Sequence, residues 1–235
     1  MKPTLSVIIP ALNEERNILP TVGDVLSAID DKFSDYEIIV FDDCSTDNTG
    51  NIIEDIATVN KKIKVIHNAK TLGFGYNYRK GVELSLYDYI SMIPGDNEIS
   101  SDSIKEMYNT IGKADIVIPY TVNYWVRPLI RQYLSKLFTF VLNSLFNLRI
   151  RYYNGPVIHK KEIIKSVSLS TDSFAFQVEA LVKLIKSGHS FVQVGMFLND
   201  KSYSKSKAFR LKNILGVLKT IIILFLDVYL LKKLN

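Results

Sequence analysis

The sequence predicts an α/β domain: a mostly parallel, Rossmann-like sheet with helices on both faces. Two observations lead there. Short runs rich in β-branched residues alternate with segments whose apolar residues recur at helical spacing. Polar and acidic clusters follow the first, second and fourth of those runs, where the carboxyl ends of parallel strands fall. With 235 residues and 47% hydrophobic content, the chain is long enough to bury one substantial core.

The elements follow in order. L-S-V-I-I over residues 5–9 reads as a buried strand. Residues 15–29 then set Ile18, Leu19, Val22, Val25, Leu26 and Ile29 at helical spacing. Y-E-I-I-V-F (36–41) is the second strand, with a helix at about 48–58. K-V-I (64–66) is the third, with a helix from about Phe74 to Leu86. Y-I-S-M-I (89–93) is the fourth, with a helix at about 103–112, and A-D-I-V-I-P (114–119) is the fifth. Ligands of such sheets bind at the carboxyl ends of the strands, near a switch in strand order. The first strand ends in Pro10-Ala11-Leu12-Asn13-Glu14. The second ends in Asp42-Asp43-Cys44-Ser45-Thr46-Asp47, and the fourth in Gly95-Asp96-Asn97-Glu98.

Each cluster has a bland reading. Thr46 and Asp47 suit a helix N-cap, and Glu14 suits the positive end of a helix dipole. The adjacent pair Asp42 and Asp43 is harder to dismiss, because neighbouring carboxylates repel unless something cationic lies between them.

The second half changes character. Residues 132–148 place Leu134, Leu137, Phe138, Val141, Leu142, Leu145 and Leu148 on one helical face. Gln132, Lys136, Thr139, Asn143 and Asn147 fall on the other. That pattern fits a core-packing helix or a helix lying in a membrane interface. Residues 214–231 contain only two charges, Lys219 and Asp227, and are flanked by Arg210, Lys212, Lys232 and Lys233. The segment fits a single span, an interfacial helix or a buried helix. The expected organisation is one domain over 1–207, with its amphipathic helix at about 128–148, and a hydrophobic membrane-associated helix over 208–235.

The formal net charge of +5 is unevenly placed. Residues 124–151 hold five basic side chains and no acidic one, and the chain from Lys201 onward holds eight basic residues against Asp227 alone. An anionic partner is expected there. Nucleic acid is not, because the basic residues alternate with long apolar faces and no reading module is present. Cys44 is the only cysteine, which rules out an internal disulfide and fits a reducing compartment. His67, His159 and His189 have no metal-ligand spacing and are expected to be structural.

Taken together, the three acidic clusters resemble glycosyltransferase family 2 on a GT-A fold. Pro10 to Glu14 resembles the entry motif P-x-x-N-E. Asp42-Asp43-Cys44-Ser45-Thr46-Asp47-Asn48-Thr49 resembles D-D-x-S-x-D-x-T, with Cys44 where glycine is usual. The glycines at 73 and 75 echo a downstream glycine-rich stretch. Gly95-Asp96-Asn97-Glu98 stands for the acidic metal motif, with Pro94 in place of its first aspartate. The second half is similar to the dolichol-phosphate mannose synthase-like branch. Arg131 and Ser135 form its R-x-x-x-S, Phe176-Gln177-Val178-Glu179-Ala180-Leu181 its F-x-x-E-x-L, and Lys201 to Lys207 its basic loop.

That resemblance implies an inverting transfer of a sugar from a nucleotide diphosphate sugar to a polyprenyl phosphate. Transfer to a saccharide hydroxyl in surface-glycan assembly is one alternative, and an inactive nucleotide-sugar-binding partner subunit is another. It implies donor contacts from Pro10, Leu12, Asn13, Glu14, Asp42, Asp43, Asp96 and Lys201. Asp96 and Glu98 would hold Mg²⁺ or Mn²⁺. For the acceptor, Arg127, Arg131 and Ser135 would grip a phosphate. A hydroxyl acceptor needs a general base, for which Glu179 and Asp172 are the candidates. The expected location is the cytoplasmic face of a membrane, peripheral or single-span.

Overall fold

The computed structural model describes residues 2–169, 171, 175–199 and 211–231. Among them, β1 (Thr4–Ala11), β2 (Asp35–Asp42), β3 (Ile63–His67), β4 (Tyr89–Met92), β5 (Ile116–Thr121), β6 (Ile158–Lys160) and β7 (Phe191–Met196) form one sheet in the order β3-β2-β1-β4-β6-β5-β7. The chain builds outward from β1 to β2 and β3, then returns to place β4 on the other side of β1. The switch in strand order therefore lies at β1 and β4, whose ends carry two of the acidic clusters. β6 runs antiparallel to both neighbours, and β5 and β7 pair in parallel.

Alternation along each strand divides the core in two. Leu5, Val7, Ile9, Ile38, Val40 and Val117 face α1 (Ile18–Ile29), α2 (Thr49–Val59) and α4 (Ser101–Asn109). Ile8, Ile39, Phe41, Ile116 and Ile118 face the opposite way, towards α3 (Phe74–Leu84), α5 (Leu129–Phe146), α6 (Lys161–Ser166), α7 (Phe176–Lys186) and α8 (Leu211–Leu226). Continuous apolar runs in β1 and β2 are what a strand covered on both faces requires. Phe176 to Leu184 are all buried, so α7 is a core helix enclosed all round.

The expected elements form, with ends shifted by a few residues. β7 carried no sequence expectation. Its partly buried F-V-Q-V-G pattern at a sheet edge is too mixed to stand out. The helix at 132–148 begins earlier, at Leu129. Pro128 presets the first turn and holds Arg127 extended (φ −92°, ψ 149°).

Of the two readings of this helix, the core-packing one holds only in part. Leu142 and Phe146 are buried and Phe138 packs beside them, but Leu134, Leu137, Phe140, Val141 and Leu145 are exposed. Only a narrow i, i+4 strip of the helix meets the core. The polar face is not the solvent face either, because it lines a cavity.

α8 seats Ile221 and Leu224 in the core beside α7. It continues as a π-helical segment, Asp227–Leu231, where Tyr229 stacks on Phe146 with ring centroids 6.4 Å apart. No helix among the described residues is long and apolar enough to cross a membrane, so the single-span alternative for 214–231 has no support from them. One side of the helix is already committed to the protein, and Leu218, Ile222 and Leu230 remain exposed on the other.

Gly155 precedes β6 and passes against β5. A Cβ there would lie 2.6 Å from the backbone carbonyl oxygen of Pro119. Backbone in a sheet cannot yield cheaply, so Gly155→Ala is expected to cost about 1–3 kcal/mol through overpacking. Urea denaturation checks this, and an unchanged midpoint would contradict it.

Candidate active site

The first acidic loop is welded to the second. Asn13 adopts a left-handed backbone (φ 59°), which aims its side-chain oxygen at the Thr46 N–H, 2.8 Å away. Its own N–H donates to Ser45 Oγ, and the Glu14 N–H donates to Thr49 Oγ1 at 2.8 Å. Asp47 accepts from the Thr49 N–H at 3.0 Å and from the Glu15 N–H at 3.2 Å, so it organises the start of α2. Glu14 Oε2 accepts from Asn17 Nδ2 at 2.8 Å. Leu12 is half-buried at the end of the same strand.

The two adjacent aspartates have separate surroundings. Asp42 accepts from the Ser45 N–H at 2.9 Å and meets His67 Nδ1 at 3.0 Å, while His67 Nε2 meets Glu54 at 2.9 Å. Burial resists ionisation of Asp42, but Ser45 and His67 outweigh it and hold the carboxyl below its ordinary value. Asp42 and then Glu54 raise His67 in return. Asp43 turns the other way. It accepts from Asn68 Nδ2 at 2.8 Å, the Leu72 N–H at 2.9 Å and the Gly73 N–H at 2.9 Å. It therefore anchors the β3–α3 loop, where Gly73 (φ 95°) needs a backbone that side chains disfavour. Repulsion within the pair is relieved by neutral donors and a histidine.

The third loop lies between these and the second half. Asn97 (φ 51°) donates to Asp24 at 2.8 Å, and the Glu98 N–H donates to Asp96 Oδ1 at 3.1 Å. Asn199, just beyond β7, clasps the loop from outside. Its side chain donates to the carbonyls of Asn97 and Ile99, and its N–H donates to that of Glu98. Burial, then Glu98, then Glu14 push Asp96 up to about 7, with Arg127 and the Glu98 N–H pulling the other way. Glu98 is engaged by arginine: Arg127 lies 3.2 Å from one carboxylate oxygen and Arg131 lies 3.9 Å from the other. Among the described residues no group of three or more His, Cys, Asp or Glu side chains is arranged to hold a metal.

Beyond Glu98 opens a cavity of about 540 Å³. Its walls are the end of β5, α5 and the segment at Arg151 and Tyr152. Arg127, Arg131, Lys136 and Arg151 line it, together with Ser135, Thr139 and Asn143, and among the described residues no acidic one does. Arg127 donates to Tyr152 Oη at 2.8 Å, and its Nε is buried without a partner among the described residues. Burial would lower its pKa, but Tyr152 and Glu98 raise it overall. Arg151 stacks on Tyr120, 3.5 Å from the ring centroid.

A sequence profile described as glycosyl transferase family 2 matches residues 6–181, three quarters of the chain, and its match runs through all three loops. The chain belongs to glycosyl transferase family 2. The chain is similar to a polyprenol monophosphomannose synthase from Mycolicibacterium smegmatis, 26% identical over 86% of this chain and 79% of that protein. An uncharacterized protein of Methanocaldococcus jannaschii, MJ0544, is 28% identical over 92% of this chain and 96% of its own. The fold is also that of glucosyl-3-phosphoglycerate synthase from Mycobacterium tuberculosis. That structure, solved with UDP, superposes with a TM-score of 0.69 at 16% identity, covering 96% of this chain and 79% of that one. The same enzyme has been solved with Mg²⁺ or Mn²⁺ beside UDP. The chain is a glycosyltransferase of GT-A fold.

Hydrogen bonds join the loop of Asn13 and Glu14 to the one that follows Asp42 and Asp43. Asp96 lies near Glu14 and Glu98, and Arg127, Arg131 and Ser135 line the cavity. Glu179 does not join them. It is buried on α7, paired with Lys183 at 3.1 Å and accepting from the Thr171 N–H, and it does not line the cavity. Lys201, Lys205, Lys207 and Asp172 lie outside the described residues. Asn199, Arg151 and Tyr152 carried no expectation from the sequence. Only the excess of basic residues over 124–151 pointed towards Arg151.

Asp96 gives a pH signature in metal-free buffer. A carboxyl raised from 3.8 to about 7 in the folded state contributes stability that is full below its unfolded value and lost as pH rises through about 7. Asp96→Asn removes that loss. Its melting temperature should rise relative to wild type between about pH 5 and pH 8 and then level off, as calorimetry at several pH values would show. A constant offset would contradict the assignment.

Proposed function

We propose that this glycosyltransferase moves a sugar, with inversion, from a nucleotide diphosphate sugar to a polyprenyl phosphate at the surface of a membrane. The observation that carries the reading is the cavity beside Asp96 and Glu98. Among the described residues it presents four cationic side chains and no acidic one, with a buried Arg127 nitrogen that has no partner among them. Such a cavity suits a phosphate. A phosphate acceptor is already ionised and needs no general base, and the described residues of the lining include no carboxylate.

On the donor side, Asp42 would take the nucleobase, with Pro10, Leu12, Asn13 and Glu14 shaping its pocket and Asp43 holding the 68–73 loop against it. Asp96 and Glu98 would hold Mg²⁺ or Mn²⁺. Two carboxylates fit these ions, which commonly take one or two from protein and complete their shell from substrate phosphates. Burial, with Glu98 and Glu14 close by, raises Asp96, and a bound cation would favour its charged form. When bound, the ion would offset the charge that builds on the departing diphosphate. Arg127, Arg131 and Ser135 would hold the acceptor phosphate for attack on the anomeric carbon from the opposite face.

The outer faces of α5 and α8 support a peripheral membrane position, on the cytoplasmic side. Leu129, Ile130, Tyr133 and Leu137 on α5, with Trp125 before it and Ile222 and Leu230 further on, are exposed apolar side chains. The same α5 lines the cavity on its polar side, so a phosphate could sit inside while its chain runs outward. A second reading has one observation in its favour. Asp96, raised to about 7, is poised as a general base for a saccharide hydroxyl.

The test is transfer from a panel of nucleotide sugars, with Mn²⁺, to undecaprenyl phosphate or to lipid-linked saccharides. Product only with the saccharides would reverse the choice of acceptor. Asp96→Asn should lower turnover at least about 10²-fold with the fold retained, and near-normal turnover would refute its role. Replacing Tyr133 and Leu137 together by aspartate should release the protein from anionic vesicles in a flotation assay; unchanged flotation would remove α5 from the membrane contact.

A further inference from the structure

We infer that Glu98 is shared between two ligands, so that an acceptor phosphate and a divalent cation each strengthen the binding of the other. The inference rests on the cation and acceptor roles proposed above. Its basis is one bridge. Glu98 Oε2 lies 3.2 Å from Arg127 and Oε1 lies 3.9 Å from Arg131, while both arginines line the cavity. On its other side, the Glu98 N–H donates to Asp96 at 3.1 Å. Glu98 thus stands between the carboxylate that would hold the cation and the guanidinium groups that would hold the phosphate.

The charges set the sign. In the structure, the arginines neutralise Glu98, and its side chain retains less than a quarter of its exposure to water. A cation at Asp96 would have to draw Glu98 away from those arginines and would leave two guanidinium groups facing it uncompensated. An acceptor phosphate supplies that compensation. It takes the Arg127 and Arg131 donors, including the unpartnered Arg127 Nε, and frees the carboxylate for the cation. By linkage the effect is reciprocal, so the cation tightens the phosphate by the same factor. Arg127 is geared to both sides by a third contact, since Tyr152 Oη holds its other nitrogen at 2.8 Å and limits its swing. The consequence is an ordered site: the cation is drawn in fully only when the acceptor is seated.

The experiment measures Mn²⁺ binding to the full chain with UDP present, by electron paramagnetic resonance of free Mn²⁺, and needs no turnover. A short-chain prenyl phosphate is added, with Mn²⁺ bound to it in solution subtracted. The phosphate should tighten Mn²⁺ at least about fivefold, the lower end of ordinary coupling between sites. Arg131→Gln should tighten Mn²⁺ without any phosphate and shrink the phosphate increment. Arg127→Lys, which keeps the charge, should retain most of the increment. Mn²⁺ binding that is indifferent both to the phosphate and to Arg131→Gln would overturn the coupling while leaving the cation site standing. No Mn²⁺ binding to wild type would overturn the cation reading itself.

Discussion

The end of β1 is the constraint on which the rest depends. β1 pairs along its length with β2 and over half of it with β4, and its backbone continues to hold the chain where the ladders stop. The Ala11 carbonyl accepts from the Asp43 N–H at 2.9 Å, and the Pro10 carbonyl accepts from the Gly95 N–H at 3.1 Å. Two acidic loops from distant parts of the chain are therefore fixed to consecutive carbonyls of one strand. Pro10 suits this place because it presets φ and contributes only a carbonyl. Thr21 Oγ1 on α1 adds a further bond to the Gly95 carbonyl at 3.2 Å.

That arrangement concentrates negative charge, and the protein answers it in three ways. Asp42 and Asp43 diverge and are met by hydrogen-bond donors, His67 among them. Asp96 takes the cost of burial and repulsion as a raised pKa. Glu98 is met by Arg127 and Arg131, which reach back from the start of α5. The third device ties the two halves of the molecule together electrostatically, because the arginines that answer the donor-side carboxylate are also the walls of the cavity.

Much of this was legible in the sequence. The early strands announced themselves because strands covered on both faces must be apolar throughout, and α1 to α4 because each has a single buried stripe. Asn13, Asp42 and Asp96 were legible because the loops after such strands converge. The second half was harder for physical reasons. On α5, apolar side chains normally mark the buried face, yet most of these are exposed and the polar side lines a cavity. β6 and β7 are short or half-buried, so neither carries a strong period. Glu179 looked like a candidate base, but a carboxylate one helical turn from a lysine on an enclosed helix becomes a buried pair instead.

By itself the sequence determined the α/β class, the positions of the three acidic loops and the family, because those follow from local periodicity and from residue types at set spacings. Only the tertiary structure decided which carboxylates share an environment, that Glu98 belongs to Arg127 and Arg131 as much as to Asp96, that Arg151 and Tyr152 line the cavity, and that Asn199 clasps the third loop. These are contacts between residues 25 to 102 positions apart. Spacing along the chain carries no information about such distances, because they are set by how strands stack in the sheet and how α5 crosses its edge.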